Sequence, residues 1–157
     1  MGNLLPGKEA PSRLVDTPQE LKARALRYLV RREHSRDELA RKLSPHAESP
    51  EILEGTLDWL ESTSRLSNQR FAEARAHWLA RKYGVAKIRQ DLASKGISEE
   101  LSSRITCAGD ELARAKAILE RKYRAPAATR EERAKRARFL QGRGFSYDTI
   151  RSVLDVD

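Results

Sequence analysis

Apolar residues recur along the chain at the three- and four-residue spacing of an α-helix. Leu21, Ala25, Tyr28 and Leu29 form one stripe, and Leu39 with Leu43 a second. Ile52, Leu53, Leu57 and Leu60 form a third, and Phe71, Ala74, Trp78 and Leu79 a fourth. Ile88 with Leu92, then Leu101 with Ile105, mark two short helices. Leu112, Ala115 and Leu119 mark a longer one, Ala137 with Leu140 another, and Ile150, Val153 and Leu154 the last. No stretch alternates as a half-exposed strand does. The pattern predicts nine helices and an all-α fold.

The ends of these segments are marked by residues that satisfy free helix-end groups. Thr17-Pro18-Gln19-Glu20 combines an N-cap, a proline in the first turn and a capping-box glutamate. Ser35 with Glu38, and Thr129 with Glu132, repeat the box; Ser49, Ser98 and Ser146 supply further caps. Gly84, Gly96 and Gly144 each follow a helical stretch, where a glycine can take the left-handed conformation that ends a helix.

The nine segments fall into three similar sets. Ala25–Arg32, Ala74–Lys82 and Ala115–Lys122 each end in a basic pair: Arg31-Arg32, Arg81-Lys82 and Arg121-Lys122. Lys95-Gly96-Ile97-Ser98 in the second set matches Arg143-Gly144-Phe145-Ser146 in the third; the first set has Ser44-Pro45-His46-Ala47 there instead. The expected architecture is therefore three tandem three-helix repeats, over residues 16–66, 67–109 and 110–157, after a flexible tail over residues 1–15. Units this small should gain their core by stacking, giving an elongated, curved, right-handed array. The alternative is one compact helical domain whose helices only look alike.

The 157 residues carry a net charge of +8, distributed unevenly. Residues 16–66 hold 9 Lys/Arg against 10 Asp/Glu, residues 67–109 hold 8 against 4, and residues 110–157 hold 12 against 8. A polyanionic partner would meet the second and third repeats first, with binding that weakens steeply as salt rises. In the third segment Glu51, Glu54, Asp58 and Glu61 share one helix face with no basic residue among them. That reads as a solvated face, or less readily as a dock for a basic partner.

Candidate chemistry is sparse. His34, His46 and His77 lie in separate segments without a metal-ligand spacing, and the single cysteine, Cys107, reads as a small buried side chain. Glu99-Glu100 and Glu131-Glu132 sit in helix first turns, where capping and the helix dipole account for them. Gly142-Arg143-Gly144 is too short for a phosphate-cradling loop. Trp59, Trp78, Phe71 and Phe145 fall at expected core positions; Tyr83 and Tyr123 are the candidates for base stacking, with packing the preferred role for both. No catalytic, cofactor or metal site is expected, and the chain reads as a binding protein rather than an enzyme. One cysteine and no membrane-length apolar run point to a reducing cytoplasm.

Several motifs in order resemble the RecX family of bacterial recombination regulators. They are the run Ala25-Leu26-Arg27-Tyr28-Leu29-Val30-Arg31-Arg32 continuing to Leu43; Arg65-Leu66-Ser67 through Arg70-Phe71-Ala72; Tyr83-Gly84 through Ile88-Arg89-Gln90-Asp91-Leu92 to Ile97; and Arg138-Phe139-Leu140 through Gly144-Phe145-Ser146 to Ile150. The resemblance spans roughly residues 18–155 and also implies three tandem three-helix repeats. It implies binding to the RecA recombinase, lodging in the groove of its filament on single-stranded DNA, and restraint of filament extension, ATP hydrolysis and strand exchange. Asn68 stands where the family usually has an acidic residue, and Ser62-Thr63-Ser64 replaces its customary glycine-containing turn, so the first repeat joint is where the geometry is open. The residues expected to contact RecA or DNA are Arg31, Arg32, Arg81, Lys82, Lys95, Arg121, Lys122 and Arg143, in a chain acting as a monomer. The competing reading is a stand-alone nucleic-acid-binding repeat protein that acts without RecA.

Overall fold

The structure is a computed structural model that describes residues 15–107 and 109–154. The tail expected over residues 1–15 lies, apart from Val15, outside the described residues. Among the described residues the chain forms nine α-helices and no strand. These are α1 (Pro18–Arg31), α2 (Arg36–Leu43), α3 (Pro50–Ser62), α4 (Asn68–Leu79), α5 (Val85–Ser94), α6 (Glu99–Cys107), α7 (Glu111–Lys122), α8 (Arg130–Gly142) and α9 (Tyr147–Leu154), with a 3-10 turn at Ser44–His46.

The capping residues act as their types dictate. Thr17, Ser35 and Thr129 each accept from the backbone N–H three residues on, while the glutamate at that position accepts from the cap's own N–H. Each such cap is worth about 1 kcal/mol of helix stability. Ser49, Ser98 and Ser146 cap α3, α6 and α9 in the simpler one-bond form, as Ser67 and Asp110 cap α4 and α7.

Gly96 and Gly144 take the left-handed conformation, with φ of 79° and 88°. In each turn the following apolar residue donates back to the last helical turn, Ile97 to the Leu92 carbonyl and Phe145 to the Leu140 carbonyl. The side chains of Ile97 and Phe145 are thereby folded into the core. Gly84 differs from expectation. Its φ is −81° and it stands at the N-cap of α5, so it does not stop α4 by a left-handed turn.

Buried apolar side chains form three separate clusters. The first runs from Leu21 to Leu66, the second from Phe71 to Ile97 and the third from Ala115 to Ile150. The helix pairs in closest association also lie within one unit: α1 with α2 and α3, α4 with α5 and α6, α7 and α8 with α9. The expectation that the units obtain their core by stacking is therefore corrected. Three short helices and one apolar turn residue (Leu66, Ile97 or Phe145) already enclose each cluster.

Two side chains expected inside lie outside. Cys107, at the end of α6, is exposed. Trp78 is 58% exposed, because α4 turns Phe71, Ala72, Ala76 and Leu79 inward and carries Ala74 and Trp78 to the side. Trp59 is half-buried against the first cluster, with Lys22 and Arg65 over its ring. Phe71 and Phe145 are buried, as expected.

Candidate functional site

The joint between the second and third units is built largely from main chain. The Gly84 N–H donates to the Arg143 carbonyl at 2.8 Å, and the Ala86 N–H to the Gly144 carbonyl at 3.2 Å. Glu111, in the first turn of α7, accepts from the Val85 N–H through one carboxylate oxygen and from the Ser146 and Thr149 hydroxyls through the other. A single carboxylate thus ties together the starts of α5, α7 and α9. The half-buried Arg114 donates to the Tyr83 carbonyl at 2.9 Å, and Arg121 to the Arg81 carbonyl at 2.6 Å.

The joint between the first and second units relies more on side chains. Asn68 accepts from the Arg36 N–H at 2.8 Å, satisfying an otherwise free amide at the start of α2. Arg70 donates to Glu33 at 2.9 Å. Ser64, in the turn between these units, has φ of 59°, a conformation that glycine adopts without penalty. The acidic face of α3 is also answered here. Arg36 lies within 2.6 Å of Glu54, 2.9 Å of Asp58 and 3.1 Å of Glu61. Burial works against its charge, yet these three carboxylates outweigh it and hold the guanidinium more firmly protonated than usual. Arg36 thus bridges three of the four carboxylates, which stay exposed to solvent as the solvated reading expects.

Five of the eight basic residues singled out from sequence line three adjoining grooves. Arg81 and Arg121 line one, with His77, Ala80, Arg114, Ala117 and Glu120. Arg81 and Lys82 line a second, of about 800 Å³, together with Arg75, Trp78, Tyr83 and Lys87. Arg32 and Lys95 line a third, with Glu33, Glu38, Phe71, Ala74, Arg75 and Trp78. Lys122 and Arg143 both sit over the Phe139 ring, and Arg143 also lies 5.4 Å from the Tyr83 ring centroid. Arg31 is exposed at the end of α1 and lines none of the three. Arg32 is already committed to Glu38, through bonds of 3.0 and 3.1 Å.

Tyr83 and Tyr123, the stacking candidates, are half-buried against the second and third cores, with cations over their rings. Two aromatics are exposed among the described residues, Tyr147 and Trp78, and sequence periodicity assigned Trp78 to the core. Its signal was the i, i+3 relation to Arg75, whose guanidinium lies 5.1 Å from the indole centroid.

His34 is 1% exposed. Its Nδ1 lies 3.0 Å from the Arg32 carbonyl and its Nε2 2.9 Å from Lys42 Nζ. A lysine ammonium only donates, so the ring is neutral with its proton on Nδ1. Burial, with the nearby Arg32 and Lys42 charges, holds its pKa below the ordinary value. Among the described residues no group of three or more His, Cys, Asp or Glu is arranged to hold a metal ion.

Three family models match this geometry unit by unit. RecX, first three-helix domain, matches residues 22–60; the second three-helix domain matches 67–103; the third matches 109–154. The chain belongs to the RecX family. It is 47% identical to Regulatory protein RecX of Ralstonia nicotianae over 87% of each chain, and 48% identical to that of Herbaspirillum seropedicae over 88% of this chain and 92% of the other. The RecX fold is seen again in the crystal structure of RecX from Lactobacillus salivarius, with a TM-score of 0.79 and 20% identity, covering 88% of this chain and 96% of that one. A second solved structure, of regulatory protein RecX, aligns with a TM-score of 0.74 and 22% identity, over 88% of this chain and 72% of the other. All three RecX domains are thus present in order. The turn at Ser62-Thr63-Ser64 falls in the interval between the first and second of them.

Proposed function

We propose that this protein is a regulator of the RecA recombinase. It binds RecA and its filament on single-stranded DNA, and it restrains filament extension, ATP hydrolysis and strand exchange by occupying the filament rather than by chemistry. The observation that carries this reading is membership of the RecX family across all three units, whose relatives bear the name regulatory protein.

The geometry supports a contact surface at the second and third units. Arg121 is anchored on the Arg81 main-chain carbonyl, and both residues, from different repeats, line one groove. Lys122 and Arg143 continue the positive surface around Phe139. Cations grouped in this way complement an acidic protein surface or a line of phosphates. Lys82 and Lys95 extend the same surface toward the first unit. The protein acts as a monomer in the cytoplasm, where the filament forms.

The test is titration of the protein into RecA hydrolysing ATP on single-stranded DNA. Dose-dependent inhibition is expected. Unchanged turnover at a molar excess over RecA would refute this function.

A further inference from the structure

Trp78 is the large aromatic ring that the second core leaves outside, 58% exposed on the flank of α4. It is exposed but held. The Arg75 guanidinium lies over its ring, and Arg75 is itself gripped by both carboxylate oxygens of Asp91, at 2.8 and 3.0 Å. The ring is thus braced from α5 through a cation whose charge is already matched.

Trp78 and Arg75 are shared by two grooves, one of about 800 Å³ toward Lys82 and Lys87 and one of about 330 Å³ toward Lys95. The carboxylates that border these grooves are taken up: Asp91 by Arg75, Glu38 by Arg32 and Glu33 by Arg70. Lys82, Lys87 and Lys95 carry no ion pair among the described residues. The result is a trough with an uncompensated positive charge on each side of a single fixed indole.

The complementary ligand has regularly spaced negative charges and a flat π-face within reach of them. An acidic protein surface supplies the charge without the face, and a duplex hides its faces in the base stack. Single-stranded nucleic acid supplies both. We propose that the groove along α4 is a binding site for single-stranded nucleic acid, in which a base stacks on Trp78 while Lys82, Lys87 and Lys95 neutralise the flanking phosphates. This inference needs no RecA, so it stands or falls separately from the function proposed above.

The test uses the full chain without RecA. A fluorescein-labelled oligodeoxythymidylate of about 15 nucleotides, long enough for one such site, is titrated with wild-type protein at low salt. Trp78→Ala should weaken binding about tenfold or more, and Trp78→Phe should recover most of the loss. In the Trp59→Phe variant, where Trp78 is the only tryptophan, the oligonucleotide should quench the remaining fluorescence, whereas a duplex of equal length should not. Affinity should fall with salt, and less steeply once Lys82 and Lys87 are both changed to Gln. Equal binding by Trp78→Ala and wild type would overturn the proposal, as would unquenched Trp78 at saturation or equal quenching by duplex. If Trp78→Ala loses RecA inhibition while its oligonucleotide affinity is unchanged, the groove docks protein and the proposal is wrong.

Discussion

Gly84 and Gly144 meet backbone to backbone across the joint between the second and third units. A Cβ at Gly84 would overlap the Gly144 carbonyl and the Phe145 nitrogen, main-chain atoms that cannot swing aside. The same segment carries the 2.8 Å bond from the Gly84 N–H to the Arg143 carbonyl. Gly84→Ala should therefore pry the joint open and cost about 1–3 kcal/mol, the usual penalty of overpacking. Gly55, inside α3, has nothing within 4 Å of its would-be Cβ. Gly55→Ala should instead stabilise by about 0.5–1 kcal/mol through helix propensity. Chemical denaturation midpoints of the two variants should move in opposite directions.

His34 gives the first unit a distinct response to pH. The neutral ring joins the Arg32 carbonyl to Lys42, and its pKa in the fold lies below the ordinary 6.5. The unfolded chain therefore binds the proton first as pH falls, so stability drops as pH goes below about 6.5. A glutamine can donate to the carbonyl and accept from the lysine without titrating. His34→Gln should flatten the stability profile between about pH 7 and pH 5, measured by urea denaturation. Both proteins should weaken at more acid pH, where Asp16 and Glu38 lose their arginine partners; the Arg24 and Arg32 contacts hold those carboxyls below their usual range despite partial burial.

Ser64 occupies left-handed backbone at φ 59°, in the turn that replaces the glycine-containing one of the family resemblance. The strain is about 1 kcal/mol for an L-residue. Ser64→Gly relieves it but frees the unfolded chain, which offsets part of the gain. The expected outcome is a thermal midpoint at or up to a few degrees above that of wild type. A clear fall would show that the serine side chain holds the first joint.

Reversing Arg81 and Arg121 together to Glu tests the contact surface proposed for RecA. Neither side chain is part of a buried cluster, so the cores should persist. Arg121→Ala, which loses the same bond to the Arg81 carbonyl without reversing charge, separates the joint from the surface. The protein concentration for half-maximal inhibition of RecA ATPase should rise at least tenfold, which is about 1.4 kcal/mol or more of lost binding. Reversing Arg31, which lines none of the grooves, should change inhibition far less.

Much of this fold was legible because local signals agreed. The capping boxes at Thr17, Ser35 and Thr129, and the left-handed glycines at Gly96 and Gly144, are set by backbone chemistry within a few residues. What escaped depends on neighbours distant in sequence. Gly84 looked like a helix stop, but its missing side chain is needed by a turn 60 residues away. The acidic row on α3 looked unaccompanied until Arg36 reached it from α2. Trp78 fitted the helical period as well as Ala76 did, and only the placement of α5 and α6 decides which of them is covered. The basic pairs were legible as residues, whereas their grouping into grooves is a property of the joints.

The three separate cores bear on how the chain is made. The first cluster closes with Leu66, before any residue of the second has been used, and the second closes with Ile97, before the third begins at Ala115. Contacts so local favour rapid folding. During synthesis from the amino terminus each unit has its full complement of core residues while the next is still being added. The first unit can therefore be packed on the ribosome before Gly144 arrives to lock the second unit to the third.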